Sequence, residues 1–295
     1  MAESTTPVPG EGGPAASGPA RAGEPRLRLT GINKSFGAVK ALTDVDFEVF
    51  DQEVVGLVGD NGAGKSTLIK VMAGVNPADS GQIFMEGRPV QIATPNDATR
   101  LGIETVYQDL ALCDNLDVVS NLYLGREDLA PRIPGVGGVL DENEMEARTL
   151  EVLAQLQVTT LKSVRTPVAA LSGGQRQSIA VAKTILRKPK VVLLDEPTAA
   201  LGVAQTRQVL NLIRRLRERG LAVVVISHNL ADVFEVVDRV IVLRLGKRAG
   251  SYDVRNTTPE QVVSAITGAE FGELLGDESS ASDAPGTVER EGAGT

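Results

Sequence analysis

The sequence predicts an α/β fold in which a mixed sheet carries a glycine-rich loop and is interrupted by a helical insertion. Three observations predict it. Short, continuously apolar runs at Val54 to Val58, Val191 to Leu194 and Ala222 to Ser227 read as strands buried on both faces, the pattern of parallel pairing. Helical periodicity follows each run, as strand–helix alternation in an α/β domain requires. The first run leads into Gly59-Asp60-Asn61-Gly62-Ala63-Gly64-Lys65-Ser66-Thr67, where Gly59, Gly64, Lys65 and Ser66 satisfy G-x-x-x-x-G-K-[ST].

In chain order, Met1 to Glu24 is rich in Pro, Gly, Ala, Ser and Thr and cannot offset its chain entropy by burial, so residues 1–25 are expected to be a disordered tail. Leu27 to Asn33 and Val45 to Phe50 alternate apolar and polar residues, which predicts two antiparallel strands joined through KSFGAVKAL. Gly81 to Met85 predicts a short strand, Glu86 to Pro89 a turn, Pro95 to Arg100 a helix and Ile103 to Val106 a strand. From residue 110 to about 187 the character changes. Apolar positions at Val118, Leu122 and Leu124, then Met145 to Leu156, predict helices around the Pro/Gly-rich link PRIPGVGGV, hence an inserted helical subdomain. Helices are expected at Arg176 to Leu186, Val203 to Arg219 and Leu230 to Val236, and strands at Ala222 to Ser227 and Val240 to Leu245. A last helix should open at Thr258 as cap, with Pro259 at its first position and Gln261 closing a capping box. Residues 271–295 are expected to be a second disordered tail.

Composition narrows the function classes. The chain has 295 residues, 42% hydrophobic and 23% charged, ordinary for a globular protein. No run approaches 18 apolar residues, and the N-terminus has no basic segment followed by an apolar one, so neither a membrane span nor a secretory signal is expected. Cys113 is the single cysteine, which excludes an internal disulfide or thiolate metal cluster and points to a reducing, cytoplasmic setting. The net charge of −8 sits mostly in the tails. Residues 1–26 hold three acids and two bases and residues 271–295 six acids and one base, leaving about −2 for the body. No basic, aromatic-interleaved surface suits nucleic acid. Arg214-Arg215-Leu216-Arg217 reads as a solvated helix face.

The glycine-rich loop has a direct physical purpose. Glycines let the backbone curl so that several N–H groups reach one polyphosphate, and the following helix adds free N–H groups and its positive dipole end. Lys65 supplies a mobile charge for the β- and γ-phosphates, and the Ser66 hydroxyl can ligate Mg²⁺. Asp195 closes a buried strand at its carboxyl end, where open parallel sheets place ligands. It can hold Mg²⁺ beside Ser66, while Glu196 can polarise an attacking water. Leu171-Ser172-Gly173-Gly174-Gln175 forms a second anion cradle before a helix. Phe36 lies beside Gly37; on position alone it reads as turn packing, although a ring there can also stack on a base.

These motifs, in this order, resemble the ATP-binding cassette (ABC) ATPases. The resemblance covers Arg26 to about Gly268 and rests on GDNGAGKS, Gln108 after a strand, LSGGQ, VVLLDEP, TAALG and His228 after VVVIS. Stretches such as GDNGAGKSTLIKVMAGVNPADSGQI and YQDLALCDNLDVVSNLYLG resemble monosaccharide importers. The resemblance implies a P-loop NTPase core with a mixed sheet, an N-terminal antiparallel β subdomain and an inserted α-helical subdomain, in one ABC ATPase domain over 26–270. It implies ATP and Mg²⁺ as ligands, Phe36 as the base-stacking residue and Gln108 as a sensor of Mg²⁺ and water. It makes Glu196 the general base and gives His228 the γ-phosphate. Ser172, Gly173, Gly174 and Gln175 would act in trans across two subunits that sandwich two ATP molecules.

The implied partners are a second ABC subunit, forming a homodimer if a copy of this chain, integral membrane permease subunits and, indirectly, a periplasmic or extracellular sugar-binding protein. The implied location is the cytoplasmic face of the membrane. Two departures stand out. Gly202 occupies the place where the family usually has Asp, and this chain carries one cassette where many monosaccharide importers fuse two. Cassette ATPases of DNA repair insert long coiled coils and those of translation usually carry two cassettes. The short interval from Gln108 to Ser172 has no sustained heptads and favours transport. A regulatory module without turnover is disfavoured by intact Lys65, Asp195, Glu196 and His228.

Overall fold

Alternating apolar residues at the start of the ordered chain produce two long antiparallel strands, β1 (Leu27–Phe36) and β2 (Val39–Val49), in a computed structural model that describes residues 23–129 and 138–269. The expected tails therefore fall outside the described residues apart from positions 23–25, as does most of PRIPGVGGV. The strands are longer than alternation alone predicts. They run through most of KSFGAVKAL, with register shifts that break the two-residue period, and leave only Gly37 and Ala38 to turn.

With β4 (Ser80–Met85) and β5 (Arg88–Val90) these strands form an antiparallel sheet ordered β2-β1-β4-β5. The expected four-residue turn at 86–89 shrinks to Glu86 and Gly87, because Arg88 and Pro89 pair with Met85 and Phe84. Pro89 sits on the edge strand, where its missing N–H costs no ladder bond.

The second sheet is ordered β10-β9-β3-β8-β7-β6. Its strands β3 (Val54–Gly59), β6 (Ile103–Val106), β7 (Val191–Asp195), β8 (Ala222–Ile226) and β9 (Arg239–Arg244) pair in parallel. Only β10 (Lys247–Asp253) is antiparallel, which makes the sheet mixed. Both faces are covered. Along β3, Val54 and Val58 join one hydrophobic cluster while Val55 and Leu57 join the other. The second cluster fills the space between the two sheets around α1 (Lys65–Met72), with Phe47, Leu68 and Ile226 among its buried members.

On the opposite face lie α6 (Val203–Glu218) and α7 (Leu230–Val236). Between β6 and β7 the chain forms α3 (Val118–Tyr123), α4 (Glu142–Gln155) and α5 (Gly173–Ile185), and α2 (Pro95–Leu101) precedes β6. The chain's last described helix, α8 (Pro259–Thr267), opens with the expected Thr258–Gln261 capping box. The α5 helix starts three residues earlier than its apolar pattern predicts. Ser172 caps it reciprocally with Gln175, and that box overrides the low helix propensity of Gly173 and Gly174.

One expectation is corrected. Arg214 to Arg217 is not a solvated face. Leu216 is fully buried; Arg214 donates to Glu235 Oε1 at 2.7 Å, Arg215 to Leu156 O at 2.6 Å and Arg217 to Asp238 Oδ1 at 3.0 Å. Each guanidinium meets a fixed acceptor, so these residues tie α6 to the end of α4, to α7 and to the α7–β9 connection.

Candidate active site

The site is assembled from the carboxyl ends of β3, β8, β7 and β6, four consecutive strands of one sheet. Gly59 ends β3 in a backbone conformation with φ +151°, and a Cβ there would stand 2.2 Å from Leu243 O. Gly64 caps α1 at φ +104°, where a Cβ would stand 2.8 Å from Ala41 O. Both positions need glycine, because the loop is pressed against β9 and β2 while it curls. Between them Asp60 accepts the Asn61 N–H on its side chain (2.8 Å) and the Ala63 N–H on its carbonyl (3.1 Å), and Ala63 is buried. Asn61 and Gly62 are exposed.

Helical bonding in α1 begins with the Leu68 N–H to Gly64 O, so the amides of Lys65, Ser66 and Thr67 precede it and are open to an anion. The Lys65 Nζ donates to Gly59 O (2.8 Å) and Asp60 O (2.9 Å), bridging the mouth of its own loop. Burial holds the Lys65 pKa below the usual lysine range, against the opposing pull of Glu196, Asp60 and Asp195. That ammonium is a half-buried cation across a cradle of backbone donors, which fits a polyphosphate.

Asp195 ends β7, and Ser66 is exposed on the first turn of α1. Burial and the neighbouring Glu196 raise the Asp195 carboxyl above the usual range, while Lys70 and Lys65 pull it down. Among the described residues no three His, Cys, Asp or Glu side chains gather into a cage for a metal ion. One carboxylate and one hydroxyl beside a phosphate cradle are the donor set that suits Mg²⁺, which takes its remaining ligands from phosphate and water. Gln108 is exposed on the loop leaving β6; Val106 lies opposite Leu194, so Gln108 leaves the sheet at the same end as Asp195.

Glu196 follows in the left-handed region, φ +50°, with its N–H donating to Ile226 O at 3.0 Å. Its Oε2 lies 2.8 Å from His228 Nδ1. With the Nδ1 proton donated to the carboxylate, a neutral ring presents Nε2 as an acceptor, and only the imidazolium can also donate to a phosphate oxygen. Glu196 is largely enclosed, with 16% of its side chain exposed, whereas His228 is 73% exposed.

Ser172 to Gln175 stand apart from this cluster. The Ser172 Oγ accepts the Gln175 N–H (3.3 Å), the Gln175 Oε1 accepts the Ser172 N–H (2.9 Å) and the Gln175 Nε2 donates to Thr160 O (2.8 Å). A Cβ on Gly173 would meet Leu201 at 2.9 Å, so the start of α5 packs against the loop leading into α6. No hydrogen bond or ion pair among the described residues joins these four to the phosphate loop. Phe36 ends β1 with 47% exposure, and the Lys34 ammonium lies 5.6 Å from its ring centroid. Two side chains that sequence reasoning passed over also line this region. Thr198 and Asp232 bond each other across 34 residues of sequence, a separation that leaves no local signal.

A sequence profile described as ABC transporter matches residues 42–199. The chain belongs to the ABC transporter family. The fructose import ATP-binding protein FrcA of Rhizobium meliloti is 44% identical to this cassette over 251 residues, covering 84% of this chain and 95% of that protein. The xylose/arabinose import ATP-binding protein XylG of Sulfolobus acidocaldarius is 42% identical over 248 residues, covering 84% and 96%. The ribose import ATP-binding protein RbsA 1 of Rubrobacter xylanophilus is 44% identical over 226 residues, but the match covers 77% of this cassette and only 44% of that longer protein. Among solved structures, a nucleotide-free ATP-binding cassette from an ABC transporter superposes with a TM-score of 0.70 at 26% identity, over 82% of this chain and 98% of that one. An ATP-binding cassette in its ADP conformation gives 0.69 at 25% identity, over 85% and 98%.

Proposed function

We propose that this chain is the ATP-binding and ATP-hydrolysing subunit of an importer for monosaccharides. The observation that carries the transport reading is the match to fructose and xylose/arabinose import ATP-binding proteins along nearly their whole length. The import role of these relatives supports a translocation path formed by permease subunits; no helix among the described residues is long and apolar enough to cross a membrane. We assign residues 26–270 to the ABC ATPase domain, with 110–187 as its helical subdomain and 1–25 and 271–295 as tails. A sugar-binding protein outside the cell would deliver the substrate, and the cassette would sit on the cytoplasmic face of the permease.

In this reading the chain's residues divide the work at ATP. Phe36 stacks on the base, and the amides of Gly59 to Thr67 together with the Lys65 ammonium hold the phosphates. Ser66, Asp195 and Gln108 would hold Mg²⁺ beside the phosphates, where it would supply charge neutralisation for the phosphoryl group. Glu196 accepts a proton from water as its oxygen bonds the γ-phosphorus and the β–γ bridging P–O bond breaks. His228 lies 2.8 Å from that carboxylate, and in this reading its imidazole contacts the γ-phosphate. Ser172 to Gln175, tied into their own cap, supply the cradle for the phosphates held by a second subunit, a second copy of this chain in the simplest assembly.

The test is uptake. In cells lacking this chain, import of labelled fructose, xylose, arabinose or ribose should fall for at least one sugar, and the chain should restore it while Lys65→Ala does not. Unchanged uptake of all four would remove the monosaccharide assignment.

A further inference from the structure

The loops bearing Glu196 and His228 leave adjacent parallel strands, with Asp195 opposite Ile226. They then diverge. The Glu196 loop turns through Ala199 N–H to Glu196 O at 3.1 Å and runs on to the cap of α6 at Gly202. The His228 loop enters α7 through a tight cap: Ser227 Oγ accepts the Asn229 N–H (3.0 Å), and Asn229 Oδ1 accepts from Ala231 (3.1 Å) and Asp232 (3.4 Å). Positions 227–232 are therefore tied into one unit. Beyond the strands and the Glu196–His228 contact, a part-buried hydrogen bond among the described residues joins that unit to the Glu196 loop. The Thr198 hydroxyl, on a residue 9% exposed, donates to Asp232 Oδ2 at 2.7 Å.

The Glu196–His228 contact does not fix its own geometry, because an imidazole 73% exposed to water holds its partner weakly. A charge-assisted bond from an enclosed hydroxyl holds better. We propose that Thr198 and Asp232 are positioning residues, a tether that holds the His228 unit at the right distance from Glu196 for ATP hydrolysis. This rests on the assignment of Glu196 and His228 made above. Neither Thr198 nor Asp232 need touch ATP, so loss of the tether should slow the reaction and leave nucleotide binding intact.

The test compares full-length chains by steady-state ATPase kinetics and by equilibrium binding of Mg·ATP. Thr198→Val keeps the shape and removes the donor; Thr198→Ser keeps the donor. Asp232→Ala removes the acceptor; Asp232→Asn keeps an acceptor oxygen. The expected result is a kcat lowered about tenfold in Thr198→Val and Asp232→Ala, as for a small misplacement of reacting groups. ATP affinity should stay within about twofold, and the Ser and Asn variants should recover most of the rate. Thr198→Val combined with Asp232→Ala should be no slower than either alone, since one bond cannot be broken twice. In a Glu196→Gln background, Thr198→Val should cost nothing further.

A Thr198→Val chain with full kcat, equal losses in Thr198→Ser and Thr198→Val, or multiplying losses in the double variant would overturn the tether. If Thr198→Val lowers the melting temperature, the Asp232→Asn and Asp232→Ala pair makes the same comparison. If Glu196→Gln itself hydrolyses ATP at the parent rate, the assignment of Glu196 fails instead, and the two failures are told apart.

Discussion

Glu196 meets two demands. It presents a carboxylate to His228, and it does so from a left-handed backbone that costs a non-glycine residue about 1–2 kcal/mol. Glu196→Gln keeps size and much of the hydrogen bonding but cannot take a proton. It should bind Mg·ATP like the parent and hydrolyse it about 10²–10⁴-fold more slowly, the usual share of a general base. With ATP persisting, this variant should sediment as an ATP-dependent dimer, and adding Ser172→Arg should return it to monomer without loss of ATP binding. A Glu196→Gln chain that stays monomeric at saturating Mg·ATP would argue for a different partner. Phe36→Ala should weaken ATP binding by roughly 1–2 kcal/mol, the usual worth of a base–aromatic stack, while Phe36→Tyr should be nearly neutral; equal affinities by titration calorimetry would return Phe36 to turn packing. At this scale much was legible in advance, because phosphate chemistry restricts residue types over a few consecutive positions: Gly59, Gly64 and Lys65 stand out in any reading. The Thr198–Asp232 bond was not, since neither residue signals the other along the chain.

Among the elements, α6 begins at Gly202, which provides no side-chain oxygen for the first-turn amides. Its φ of −72° and ψ of 162° suit any residue, and a Cβ there would meet nothing within 4 Å. Gly202→Asp should therefore fit without strain. The added cap and the favourable charge at a helix N-terminus should stabilise the protein by a few tenths of a kcal/mol, seen as a slightly higher melting temperature. A lower one would show that Gly202 is needed for its small size. Elements with strong periodicity or a continuous apolar run, such as β3, β7 and α7, were visible in the sequence. The strand β10 was not. KRAGSYD has no clean alternation, and its pairing with β9 shifts register between Arg248 and Gly250, which breaks the two-residue period that sequence reading relies on. Helix starts at α5 and strand ends at β1 and β2 were displaced for the related reason that caps and bulges outweigh propensity.

For the molecule as a whole, the two sheets are joined through Arg239. From β9 it donates to the carboxylate of Glu53 (2.9 and 3.3 Å), which is fully buried, and to Glu48 O on β2 (2.9 Å). Arg239→Ala would leave the Glu53 charge enclosed without its guanidinium partner, an effect of about 3–5 kcal/mol. Urea unfolding should show it as a lower midpoint with little change in slope; a shift worth less than about 1 kcal/mol would mean that water or other groups replace the guanidinium. Such ties span 186 residues of sequence, and no local pattern announces them.

The placement of β3 has a consequence during synthesis. The strand that leads into the phosphate loop is flanked by β8 and β9, and Leu57 pairs with Ile226 and Ile241. Both neighbours emerge from the ribosome long after the loop itself. A nascent chain ending before about residue 239 has every residue of Gly59 to Thr67 but lacks β9, whose Leu243 carbonyl presses on Gly59, so the loop should take its final shape only after that strand emerges. The shaping of the phosphate loop is thus a late event in the life of each molecule, completed when the distal third of the chain has closed around its beginning.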